Sequence, residues 1–334
     1  MGREMPKLLR AAVTGIGAYV PRRVMTNADF EKIVDTSDEW IVQRTGVKER
    51  HIVGENESTA SMASAAGRQA LERAGVQADQ LDLIIVATVT PDMILPATAC
   101  FVQQELGAFK AAVFDVSAAC SGFLYALTTG CQFVQTGMYR RVLVIGADAL
   151  SRFTDYEDRG SCILFGDAAG AVVLEPCDDD SRGVLYNVIH ADGSGWDFIH
   201  TPAGGSRNVA SEQTVRDRLH FIKMRGRDVY KFAVEKMQWL IGNCLESCNL
   251  TVDEVDLVIP HQVNIRILQS AAEKYNFPMD KLYVNIDRYG NTSGASVPLA
   301  LEEAYRLGKI GPGSTVMLIA FGAGLTWAGS VLRL

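Results

Sequence analysis

The sequence predicts an α/β protein built from two related halves. Strand-like and helix-like segments alternate along its 334 residues, the pattern of sheets covered by helices. "LERAGVQADQLDLII" (71–85) resembles "LESCNLTVDEVDLVI" (245–259), with identities at Leu71/Leu245, Glu72/Glu246, Asp79/Asp253, Asp82/Asp256, Leu83/Leu257 and Ile85/Ile259, every pair 174 apart. The same shift lays "VLVIGA" (142–147) on "VMLIAF" (316–321). Two segments sharing one offset point to a duplicated unit. The acidic, proline-containing "EPCDDDSRG" (175–183) is the natural seam, giving halves at 1–176 and 183–334.

In the first half, "TSDEWIVQRTG" (36–46) has Thr36 and Glu39 at capping-box spacing and Gly46 as a stop, so a short helix is expected. Trp40 and Arg44 lie four apart on one face of it. An indole beside a guanidinium can grip adenine and phosphate, or can be an ordinary exposed cation–π pair. "LIIVATV" (83–89) is strand-sized and far short of a membrane span. "AAVFDVS" (111–117) has strand composition, and "SGFLYALTTGCQFVQTG" (121–137) reads as a helix apolar nearly all round, hence buried. Cys120 falls between them, at a helix N-terminus. It is either a small buried hydrophobe or a nucleophile whose thiolate is favoured by unpaired N–H groups and the positive dipole end.

Ligands collect beyond the carboxyl ends of parallel strands, and equivalent strands of a duplicated unit end on the same side. In the second half those ends carry "HQVN" (261–264), "NTSG" (291–294) and "FGAG" (321–324). His261 follows the strand-like "VDLVIP", Asn291 stands in a turn-like "YGNTSG", and "FGAGLTWAG" offers backbone N–H groups to a bound oxygen. Each of these features has a structural reading of its own. Together, on three equivalent loops facing Cys120, they form a candidate catalytic constellation.

Composition closes off other classes. Hydrophobic residues make up 48% and charged ones 21%, ordinary for a globular chain. A net charge of −7 disfavours generic nucleic-acid binding. Seven scattered cysteines without a C-x-x-C pair read as reduced thiols, and Cys244 and Cys248, one helical turn apart, read as core packing and not metal ligation. "MGREMPKLLR" has neither a signal-peptide core nor a myristoylation signal, so a cytoplasmic protein is expected, with no membrane attachment. Gly15 and Gly17 in "TGIGAYV" lack the third glycine of a dinucleotide fingerprint, so no NAD site is expected.

The stretches "TSDEWIVQRTGVKER" (36–50), "DVSAACSGF", "DRGSCILFGDAAGAVVLEP" (158–176), "HQVNIRI" (261–267), "GNTSGASVPLAL" and "FGAGLTWAG" occur in order from end to end. On these stretches the chain resembles the β-ketoacyl-acyl-carrier-protein synthase III group of the thiolase-like superfamily. The resemblance implies a five-layered αβαβα sandwich, a homodimer, and a Cys120, His261, Asn291 triad that condenses an acyl-CoA primer with malonyl carrier protein without a cofactor or metal. It implies an oxyanion hole from the backbone of Cys120 and Ala323, where alanine departs from the commoner glycine run. It places Thr36, Trp40, Arg44, Arg159 and Asn264 on coenzyme A, and Leu95 and Phe321 at the acyl pocket, Leu95 from across the dimer. Arg225, Lys231, Gln262 and Arg266 are its candidates for docking the acidic acyl carrier protein. Residues 206–236 fit that last role, with eight basic side chains (Arg207, Arg216, Arg218, Lys223, Arg225, Arg227, Lys231, Lys236) against four acidic ones. Two other functions remain open: a starter-unit condensing enzyme or acyltransferase of secondary metabolism, and a non-catalytic dimer partner.

Overall fold

The structure, a computed structural model, describes residues 8–179 and 181–334. The N-terminal residues 1–7, on which the reading of no signal segment falls, and Asp180 of the seam lie outside the described residues. The first sheet has the strand order Arg10–Tyr19, Asp167–Cys177, Val142–Ala149, Leu83–Ala87, Ala112–Val116. Leu83–Ala87 runs parallel to both its neighbours, and Asp167–Cys177 runs antiparallel to both of its own. The second sheet has the order Leu257–Pro260, Thr315–Gly322, Thr326–Arg333, Gly183–Ala191, with the first pair parallel and the others antiparallel. The 174-residue offset reappears in the pairing register: Leu83 lies opposite Val142, and Leu257 lies opposite Val316. The counterpart of the fifth strand shrinks to a single parallel bridge between Val258 and Leu282.

Strand alternation builds the layers. Leu83, Ile85, Val142 and Val144 turn inward with Leu257, Ile259, Val316 and Leu318 of the second sheet, onto the central helices Gly122–Gln135 and Ser296–Arg306. Ile84, Val86, Leu143 and Ile145 turn outward onto Thr59–Ala74 and Thr98–Leu106. Val258, Met317 and Ile319 turn onto Gly226–Cys248 and Ile265–Glu273. Two sheets and three helical layers make a thiolase-like αβαβα sandwich. Because helices cover both faces, the strands read as continuous apolar runs. The central helix buries Phe123, Leu124, Leu127, Cys131 and Val134, each large side chain contributing about 1.5–3 kcal/mol.

Gly15 and Gly17 have a packing reason. A Cβ at either would lie 2.1–2.2 Å from the carbonyl oxygens of Ala70 and Ala66, so the strand accepts helix Thr59–Ala74 only without side chains there. The helix at 38–45 starts one residue later than the capping-box spacing predicts. Ser37 is the N-cap, its Oγ accepting from the N–H of Trp40 at 3.2 Å, and Gly46 closes the helix at φ 85°. Glu39 accepts instead from Gln43 Nε2, and the buried Thr36 Oγ1 has no partner among the described residues.

Candidate active site

Three strand ends converge on one cavity of about 290 Å³, lined by Cys120, His261, Asn291, Phe321 and Ala323. Cys120 sits in the tight turn Ala119–Ser121, between strand Ala112–Val116 and helix Gly122–Gln135. His261 follows Leu257–Pro260, its N–H donating to Ile319 O at 2.8 Å and its ring standing edge-on to Phe321 at 5.6 Å. Asn291 is held at both main-chain ends, its N–H donating to Leu164 O and its C=O accepting from Gly166 N–H. Its Oδ1 accepts from the N–H of Ser293 at 2.9 Å, leaving the amide hydrogens of Nδ2 to the cavity side. Ala119 (φ 47°) and Ser293 (φ 51°) both adopt the left-handed region, at a cost of about 1–3 kcal/mol each. The first half meets the second at Gly322, where a Cβ would stand 2.7 Å from Cys120 N.

Burial sets the electrostatics of the cavity. Desolvation pushes the Cys120 thiol up to about 12, helped by the nearby Asp148 carboxylate and opposed by a hydrogen bond with Ser293. Desolvation by the cavity therefore opposes the helix N-terminus, which favours the thiolate. Burial also pushes His261 down to about 3, so its imidazole is neutral. Asp148 is wholly buried and accepts from Thr88 Oγ1, Val89 N–H, Thr90 Oγ1 and, across the seam between halves, Gly294 N–H, at 2.8–3.1 Å. It fastens the Asn291 loop to the first sheet.

Arg44 and Arg159 stand over the half-buried Trp40 ring at 5.4 and 4.9 Å, and Asn264 Nδ2 donates to Arg44 O at 2.8 Å; none of the four lines the cavity. Other site candidates are placed elsewhere. Gln262 is buried: Nε2 donates to Pro260 O and Tyr283 O, and Oε1 accepts from Asn285 N–H, so it presents nothing to a docking protein. Arg266 is exposed at the start of helix Ile265–Glu273. Leu95 is 83% exposed, beside the equally bare Ile94, and does not line this chain's own cavity. The basic stretch is not one free positive face. Arg218 and Lys223 both pair with Asp155, Arg216 with Glu212, Arg225 with Asp197 and Asp228, and Lys236 with Glu235. Among the described residues, Arg207, Arg227 and Lys231 make no ion pair.

Residues 114–193 match the family of 3-oxoacyl-[acyl-carrier-protein] synthase III, and residues 245–334 match its C-terminal domain. The chain is 50% identical over 329 residues to beta-ketoacyl-[acyl-carrier-protein] synthase III of Caldanaerobacter subterraneus, covering 98% of this chain and 99% of the relative. It belongs to the 3-oxoacyl-[acyl-carrier-protein] synthase III family. The crystal structure of the synthase III from Aquifex aeolicus superposes with a TM-score of 0.90 at 45% identity, over 97% of this chain and all of that one. A priming β-ketosynthase from the R1128 polyketide pathway gives 0.91 at 36%, over 100% of this chain and 99% of that one.

Within this synthase III fold, sequence reasoning missed the residues that surround Cys120, His261 and Asn291. Asp148, Ser293 and Ser296 bear on Cys120, Asn291 and His261, yet a lone aspartate at a strand end or serines in "TSGAS" carry no pattern of their own. Ile199, His200, Ile222 and Met224 wall the cavity from a small two-stranded ribbon and its flank. Their contribution follows from the chain folding back through Arg218 and Lys223 onto Asp155, a long-range contact with no local signature.

Proposed function

We infer that this chain is a β-ketoacyl-acyl-carrier-protein synthase III that initiates fatty acid synthesis through an acyl-thioester on Cys120. The observation that carries the site assignment is the convergence of Cys120, His261 and Asn291 on one apolar cavity. In the first half-reaction the Cys120 sulfur attacks the acyl-CoA carbonyl and the C–S bond to coenzyme A breaks. The thiol proton ends on the departing coenzyme A thiol, so the exchange is balanced. In the second, the malonyl C–C bond breaks, CO2 leaves, and the electron pair moves toward the thioester oxygen. His261 and Asn291 N–H groups stabilise that oxygen, each by about 3 kcal/mol. The carbanion attacks the acyl carbonyl, whose oxygen is held by the backbone N–H groups of Cys120 and Ala323. Cys120 then leaves as thiolate and is reprotonated, giving 3-oxoacyl carrier protein.

Trp40, Arg44 and Arg159 form the nucleotide grip, with Thr36, whose Oγ1 lacks a partner among the described residues, and Asn264 alongside. Lys231 and Arg266 are the exposed cations that fit an acidic carrier protein, with Arg225 contributing despite its two carboxylates. A homodimer is supported by the uncovered edge strand Ala112–Val116 and the bare Met93, Ile94 and Leu95 near it. Its substrates assign it to the cytoplasm, and no helix among the described residues is long and apolar enough to cross a membrane.

The test is direct. Incubation with acyl-CoA adds one acyl mass to the intact protein, and Cys120→Ala abolishes the adduct. An adduct that survives the substitution places the nucleophile elsewhere. The likeness to the R1128 priming enzyme favours a second reading, priming of a specialised pathway. Turnover with that pathway's carrier protein and not with the fatty acid one separates the two.

Leucine at 95 sets primer length in this reading, reaching into the partner's cavity. Each buried methylene adds ~0.8 kcal/mol, so a four-carbon primer gains over tenfold in kcat/KM on acetyl. Leu95→Phe should cut that preference and spare acetyl-CoA. An unchanged primer profile in the variant removes Leu95 from the pocket.

A further inference from the structure

His261 Nδ1 and Ser296 Oγ lie 2.6 Å apart, and both side chains are buried. Ser296 is the first residue of helix Ser296–Arg306, and its hydroxyl does not bond back to the main chain as those of Thr128 and Thr129 do in the interior of helix Gly122–Gln135. The Ser296 hydroxyl instead makes its one side-chain hydrogen bond among the described residues to the imidazole. A neutral imidazole has one N–H and one lone pair, and the nitrogen that carries the proton is set by the partner of the other. If Nδ1–H donated to Ser296, the hydroxyl proton would be buried with no acceptor and Nε2 would turn a lone pair toward the substrate oxygen. If the hydroxyl donates, both groups are satisfied and Nε2 carries hydrogen.

We propose that Ser296 is a positioning residue: its hydroxyl donates to Nδ1 of His261 and fixes the tautomer whose Nε2–H faces the cavity. This rests on the condensing reading, in which that N–H meets the malonyl thioester oxygen as charge develops on it. Among the described residues the ring makes no other hydrogen bond. Its backbone is pinned through Ile319 and its ring makes a T-shaped contact with Phe321, and neither contact distinguishes the two nitrogens. Ser296 acts only through His261, so acyl transfer to Cys120 does not depend on it.

Long-range 1H–15N spectra of the full-length protein labelled at histidine nitrogen read the tautomer directly, with the His261 signals assigned by their loss in His261→Gln. Wild type should show His261 protonated at Nε2 alone. Ser296→Ala should mix the tautomers and lower malonyl carrier protein decarboxylation roughly tenfold or more, with acyl-Cys120 formation unchanged. Ser296→Thr, which keeps the hydroxyl, should restore both. A wild-type proton on Nδ1 overturns the proposal, and this measurement stands even if the alanine variant does not fold. So does an alanine variant with unchanged tautomer and rate, or one whose acyl transfer falls as far as its decarboxylation. A wild type protonated at Nε2 that decarboxylates no malonyl carrier protein upholds the tautomer and defeats the functional reading instead.

Discussion

His261→Ala should still take an acyl group onto Cys120 and should lose malonyl decarboxylation by roughly 10² or more. The reason lies in the charge state of the ring. With burial pushing His261 down to about 3, the imidazole is neutral and no cation to pair with a Cys120 thiolate, so in the proposed reaction what it offers is an N–H. Removing it strips one of the two side-chain donors from the decarboxylation step and leaves the thioester exchange intact. Single-turnover acylation by intact mass and release of labelled CO2 measure the two steps separately. A variant that cannot be acylated makes the histidine the base for Cys120. The same burial sets a pH signature. A histidine whose folded pKa lies below its unfolded 6.5 contributes stability above 6.5 that is lost as the pH falls toward 3, because the unfolded chain binds the proton first. Wild-type decarboxylation should show no acid limb near 6.5. The alanine variant should lose less stability than wild type on acidification through that window.

Alkylation of Cys120 by iodoacetamide should climb about tenfold per pH unit from 7 to 9, because only the thiolate reacts and the thiol is pushed up to about 12. The Cys120 peptide, followed by mass spectrometry, gives the rate apart from the other thiols. Cys131 and Cys244 are buried and likewise raised by desolvation. A plateau near pH 7 would mean that the helix terminus prevails over the apolar wall and that the enzyme rests as a thiolate. A climbing profile means that the thiol surrenders its proton only while the acyl group is being exchanged.

The fold was legible because its evidence is periodic. The 174-residue offset survives as a pairing register, and strands buried on both faces leave unbroken apolar runs. That Cys120, His261 and Asn291 come together on one cavity was legible because each sits at the carboxyl end of a strand, or on a loop equivalent to one. The failures are local or long-range. Ser37 and Thr36 are both good N-cap residues one position apart, and only the path of the chain chooses between them. Gln262 adjoins His261 in sequence but points the other way, into Tyr283 and Asn285, as alternation at a strand end requires. Part of the apolar wall facing Cys120 comes from residues 199–224, which no pattern around Cys120 reveals.

The contact between Gly322 and the main chain of Cys120 limits how this protein can evolve. A methyl group at 322 would also lie 3.2 Å from Ala118 O, so there the two halves interlock through hydrogen atoms alone. The spacing between nucleophile, donors and backbone amides is therefore a rigid gauge, common to every substrate the chain can accept. New specificities must be written into the outlying wall around Ile199, His200 and Met224. The junction itself can lend catalytic geometry to many acyl chains while recording none of them.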